Sequence, residues 1–126
     1  MFGFILIIQP RHPKRIKDFY TINRDGTKNI LEIASMQSIK RIVIMSSNSP
    51  IGCNPNNQHK FDETSPYNPY MNYGRSKMEM EVIAKEYFSN KKIDLTLIRS
   101  PWFYGPYQPD RQKLFFEMIM KGKMPI

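Results

Sequence analysis

The chain has 126 residues, 40% of them hydrophobic and 13% aromatic, with 19 Lys and Arg against 11 Asp and Glu. That length allows one domain, since domains run to roughly 100–200 residues. The apolar supply excludes disorder, whose signature is low hydrophobicity with high net charge.

No apolar run approaches the ~20 residues that span a bilayer, so no membrane partner is expected. The net charge of +8 is spread along the whole length. Its densest group, Arg11 to Lys17, carries no Gly-aromatic RNA-binding signature, so no nucleic-acid partner is expected either. Cys53 is the single cysteine, and His12 and His59 lie far apart. That excludes an internal disulfide and zinc-finger spacing, so no metal is expected and a reducing, cytoplasmic setting is the default.

In chain order, Phe4 to Ile8 reads as a buried strand. The run from Phe2 lacks a basic leader and a small-residue cleavage site, which speaks against a signal peptide. Asp18 can cap a helix to about Met36, with Phe19, Ile22, Ile30, Ile33 and Ala34 near helical spacing. Ile42 to Met45 is a short continuous apolar run, as in a strand covered on both faces. Ser46 to Asn72 is rich in Asn, Pro, Ser and Gly and reads as loop. A helix follows from about Tyr73 to Phe88, with Met80, Ile83, Ala84 and Tyr87 on one stripe.

Leu95 to Ile98 is the third strand, and Ser100 to Asp110 is a Pro/Gly loop. The last helix turns Leu114, Phe115, Met118 and Ile119 inward and stops near Gly122. Strands alternating with helices mean an α/β fold with a parallel sheet. Three strands are few for a doubly wound sheet, which usually has about five or more. Residues 1–126 therefore read as an incomplete domain, the middle of something larger. Its exposed sheet edge calls for a homo-oligomeric copy or a partner chain.

Ligands of such sheets sit outside the carboxyl ends of the strands, where Ser46-Ser47-Asn48-Ser49 falls. Tyr73 and Lys77 follow, and a helical i, i+4 pair projects from one face. An ammonium beside a phenol favours the phenolate and lowers its pKa toward neutrality, as proton exchange requires. The spacing alone is weak evidence, since Tyr87 and Lys91 repeat it. Tyr87 lies on an apolar stripe and Lys91 at a helix end, where the helix dipole favours a cation. Tyr73, by contrast, opens its helix after a hydroxyl-rich strand end.

Six blocks in order complete the pattern. They are Asn23 to Leu31, Lys40 to Ser47, Gly52, Asp62 to Tyr67, Tyr73 to Lys77, and Ile98 to Pro106. With them the chain, from about residue 12 to 126, resembles the extended short-chain dehydrogenase/reductases, the NAD(P)-dependent epimerase/dehydratase group. The resemblance implies a partial Rossmann-like doubly wound parallel sheet and NAD or NADP as cofactor. It also implies a small-molecule substrate with a hydroxyl or keto carbon, such as a nucleotide sugar or a simple alcohol or ketone.

It further implies that Tyr73 is the general acid/base, and that Lys77 lowers its pKa and hydrogen-bonds the nicotinamide ribose. Ser47 would hold the substrate oxygen, and Asn23 would support the lysine through backbone and water. Ser100, Pro101, Trp102 and Phe103 match the loop that lines the nicotinamide. Asp62 and Glu63 are adjacent in a loop and structural, and Cys53 has no sequence neighbour to activate it.

Three features depart from the family. Glycines stand only at 3, 26, 52, 74, 105 and 122, so the Gly-x-x-Gly-x-x-Gly turn that holds the pyrophosphate is missing. The C-terminal substrate lobe is missing as well. These gaps imply a truncated product or a fragment of a longer protein, with no saturable NAD or NADP binding below the millimolar range. The alternative is a non-catalytic remnant or interaction module. Ser47-Asn48-Ser49 also stands where 4,6-dehydratases of the family carry Thr-Asp-Glu. That speaks against sugar dehydration and leaves epimerisation or ketone/alcohol reduction.

Overall fold

The computed structural model describes residues 2–5, 15–37, 39–89, 94–101, 105–107 and 110–123. Three parallel strands, β1 (Phe2–Ile5), β2 (Arg41–Ser47) and β3 (Asp94–Ser100), form one sheet in chain order with β2 central. The expected strand from Phe4 to Ile8 is met at Phe4 and Ile5, while Leu6 to Ile8 lie outside the described residues. The first crossover carries helix α1 (Ile16–Tyr20), a π-type turn over Thr21–Asp25 and helix α2 (Gly26–Met36). The second is helix α3 (Met71–Ser89), and helix α4 (Asp110–Met120) follows β3.

The core lies on one face of the sheet. Leu31 and Ala34 from α2, Ile42 and Ile44 from β2, and Met80, Ala84 and Phe88 from α3 form one buried cluster. Ile83 and Tyr87 pack against it, so Tyr87 is a core residue. Its expected companion, Lys91, lies outside the described residues. Strand alternation turns Val43 and Met45 to the opposite face, where they are half-buried.

The first crossover differs from its expected phase. Asp18 does not stand before the helix; it sits in its first turn, and its carboxylate accepts the Arg15 backbone N–H at 3.2 Å. The Gly26 N–H then bonds the Thr21 carbonyl, an i→i+5 step that inserts one extra residue. The buried face runs from Asn23 within this turn to Thr27, Leu31 and Ala34 beyond it. Ile30 and Ile33, expected on the inward stripe, are 41% and 62% exposed. On α4, Leu114 and Ile119 are also exposed instead of inward.

Ile44→Ala should therefore cost about 2–5 kcal/mol, the range for truncating a fully buried aliphatic side chain. Ile33→Ala should stay within about 0.5 kcal/mol. Urea unfolding of the two variants checks the phase of the π-type turn. Equal losses would restore the uninterrupted helical stripe.

Candidate functional site

The carboxyl end of β2 runs into a turn tied to the start of α3. The Asn48 N–H extends the ladder to the Ser100 carbonyl at 3.2 Å, and the Ser49 N–H donates to Ser47 Oγ at 3.2 Å. The Tyr70 N–H donates to the Ser49 carbonyl at 3.0 Å. Gly74, in the first turn of α3, faces that same carbonyl, and a Cβ there would stand 2.7 Å from its oxygen. Only glycine lets the serine turn sit this close to the helix. Gly52 closes the turn at φ +80°, a conformation that favours glycine.

This packing brings Ser47 and Tyr73 together. The Ser47 hydroxyl is 3.1 Å from Ser49 Oγ and pulls on the Tyr73 phenol as a hydrogen-bonding neighbour. Burial nevertheless dominates and holds the phenol above its usual range. The sequence reading expected Lys77 to lower it. Instead the Lys77 side chain is buried and donates from Nζ to the Met45 carbonyl at 3.3 Å. Burial lowers the Lys77 pKa to about 8, against an opposing pull from Glu81.

Asn23 reaches α3 by way of the π-type turn. Its Nδ2 donates to Ser76 Oγ at 2.9 Å, and Ser76 Oγ donates to the Tyr73 carbonyl at 2.8 Å. Asn23 thus braces the first turn of α3 next to Lys77. Its Oδ1 is buried and has no hydrogen-bond partner among the described residues.

One turn beyond Lys77 lies a cluster that the sequence reading missed. Glu81 is fully buried. Oε1 accepts from Ser46 Oγ at 2.5 Å, and Oε2 accepts from the Tyr67 hydroxyl at 2.9 Å. Arg99 Nη2 donates to Oε2 at 2.8 Å, and Nε lies 3.2 Å from each oxygen. Burial alone would raise the Glu81 carboxyl, but Arg99, Ser46 and Tyr67 together hold it below the usual range. The available signal was the four-residue spacing of Tyr73, Lys77 and Glu81 along one helix.

The other expected residues divide. Ser100 ends β3 and donates to the Pro101 carbonyl at 3.0 Å, and Pro101 is exposed. Trp102 and Phe103 lie outside the described residues. Asp62 is structural: its Oδ1 accepts from the Thr64 N–H and hydroxyl, both at 2.8 Å. Cys53 is exposed. Among the described residues, no group of three or more His, Cys, Asp or Glu could hold a metal ion. No helix there is long and apolar enough to cross a membrane.

Residues 8–124 match the model of the NAD dependent epimerase/dehydratase family. An uncharacterized protein, y4nL, of Sinorhizobium fredii is 48% identical over 116 residues, covering 91% of this chain and 33% of the relative. The N-acetyl-alpha-D-glucosaminyl-diphospho-ditrans,octacis-undecaprenol 4-epimerase of Escherichia coli O157:H7 is 32% identical over 107 residues, covering 83% and 31%. The crystal structure of dTDP-glucose 4,6-dehydratase from Bacillus anthracis, in complex with NAD, superposes with a TM-score of 0.73. It is 26% identical, and the match covers 87% of this chain and 36% of that one. The chain thus spans about a third of the length of the curated relatives it matches. With the parallel sheet, the ordered motifs and a family match over nearly its whole length, the chain belongs to the NAD-dependent epimerase/dehydratase family.

Proposed function

We propose that this chain supplies the proton-transfer part of an NAD-dependent enzyme that oxidises and reduces a hydroxyl or keto carbon of a diphosphate-linked sugar. The observation that carries the reading is the placement of the Ser47 hydroxyl, the Tyr73 phenol and the Lys77 ammonium beside the carboxyl end of β2. Family membership and the sugar-modifying relatives support it.

The donor set suits the nicotinamide end of the cofactor. A phenol and an ammonium offer hydrogen bonds to ribose hydroxyls, and at the end of the adjacent strand Ser100 is half-buried and Pro101 exposed. Tyr73, Lys77, Ser100 and Pro101 would hold that end, and the family pattern adds Trp102 and Phe103. The pyrophosphate end is different, because the chain has no glycine-rich turn to cradle it.

Bound NAD supplies a hydride acceptor and, once reduced, a donor. The chain's own residues handle the proton. Ser47 holds the substrate oxygen beside Tyr73. The raised phenol pKa keeps Tyr73 protonated near neutral pH, as a donor to a carbonyl oxygen must be. Lys77 brings a positive charge that favours the phenolate, the form able to take the proton back from a hydroxyl. Asn48 and Ser49 offer no carboxyl group for elimination, so epimerisation or ketone/alcohol exchange fits better than dehydration.

In a polypeptide joining this sequence to its family's glycine-rich unit, Tyr73→Phe should lower turnover about 10²–10⁴-fold with little change in cofactor affinity. Lys77→Ala should damage both. Parental turnover in the Tyr73→Phe protein would contradict the assignment.

A second expectation concerns pH. The unfolded chain keeps the Lys77 proton up to about the ordinary value of 10.5, but the folded chain keeps it only to about 8. Between these values the unfolded state binds more protons, so stability rises with pH. Below that window the cost of burying the ammonium is fully present. In urea unfolding, the stability of the parent minus that of Lys77→Met should rise from about pH 8 to about pH 10. A flat difference would show that Lys77 titrates as an ordinary lysine.

A further inference from the structure

We propose that Glu81 is the positioning residue of this site: it anchors the ends of β2 and β3 to α3 and stands as counter-charge to Lys77. The catalytic meaning of this proposal rests on the function proposed above. The contacts do not.

The anchoring follows from the strand register. Ser46 and Arg99 are partners across the β2–β3 ladder, and both bond the one Glu81 carboxylate. The next rung is Ser47 opposite Ser100. On the other side of Ser46 is Met45, whose carbonyl receives Lys77 Nζ. Holding Ser46 therefore fixes the acceptor of Lys77 and the backbone of Ser47 together. Tyr67 adds the loop before α3 to the same carboxylate, and Lys85 Nζ donates to its hydroxyl at 3.0 Å.

The electrostatic part follows from the helix. Glu81 is four residues beyond Lys77, on the same face, and residues so spaced have Cβ atoms about 5–6 Å apart. The titratable neighbours of Lys77 on α3 are Tyr73 and Glu81. From β3 comes Arg99, already bonded to Glu81. β2 offers neutral groups at this level, the Met45 carbonyl and the Ser46 and Ser47 hydroxyls. The π-type turn offers neutral Asn23, and Arg24 is turned to Asp25 and Glu79. Among the described residues, Glu81 is the buried anion whose charge acts on the Lys77 ammonium.

The test is the titration of Lys77, read from its Cε signal in lysine-labelled chain and assigned by its loss in Lys77→Met. No cofactor or turnover is involved, so the outcome is independent of whether the site handles nicotinamide. In Glu81→Gln the midpoint should fall from about 8 by about one pH unit or more, the usual effect of losing a close opposite charge. Glu81→Asp, which keeps the charge, should stay nearer the parent. Glu81→Gln leaves Arg99 without its partner and can unfold the chain, so Glu81→Gln with Arg99→Gln is the second variant. Replacing both members of a buried pair is far better tolerated than removing one. Its midpoint should fall in the same direction by less. An unchanged or higher midpoint in either folded variant would overturn the proposal, as would equal midpoints for Gln and Asp at position 81.

Discussion

A carboxylate shut away from water stays charged only where donors replace the lost solvation. Glu81 meets that condition with donors from separate parts of the chain: Ser46 on β2, Arg99 on β3 and Tyr67 in the loop before α3. Each bond is also a spatial constraint. Together they tie α3 to the ends of β2 and β3, the same junction that carries Ser47 and Tyr73. Gly74 acts at the same junction, admitting the Ser49 carbonyl where any side chain would push it away. The site is thus a consequence of how one helix is seated.

That seating was partly legible in the sequence. Short apolar runs separated by helix-length segments implied a parallel α/β sheet, and the strands at Ile42–Met45 and Leu95–Ile98 pair in that way. Tyr73 and Lys77 could be placed on one helical face because four-residue spacing fixes relative direction whatever the tertiary context. The π-type turn was not legible, since an i→i+5 bond has no side-chain signature. It rotated Ile30 and Ile33 outward and Asn23 inward. Glu81 was not legible, because a lone helical glutamate reads as solvated, and its partners Ser46, Tyr67 and Arg99 stand 35, 14 and 18 residues away. Tyr73 shows a related limit. Residue spacing suggested a phenol acidified by Lys77, but burial, which spacing does not encode, raises it instead.

The chain divides the task of its family unevenly. It carries Ser47, Tyr73 and Lys77, the residues of the proposed proton transfer, on strongly braced elements, with Asn23, Ser76 and Glu81 all fixing α3. It carries no glycine-rich turn for the pyrophosphate. A cofactor meeting these residues alone would be held by its nicotinamide and ribose, through a few hydrogen bonds each worth about 0.5–1.5 kcal/mol. Affinity of that order is weak but local, which makes the place of contact the informative quantity.

The most direct test is therefore magnetisation transfer between millimolar NAD and the labelled chain. Transfer is expected from the Tyr73 ring and the Lys77 ε-methylene to the nicotinamide and its ribose. Transfer confined to other surfaces, such as the groove lined by Phe61, Leu97 and Ile98, or no transfer at all, would contradict the proposed function.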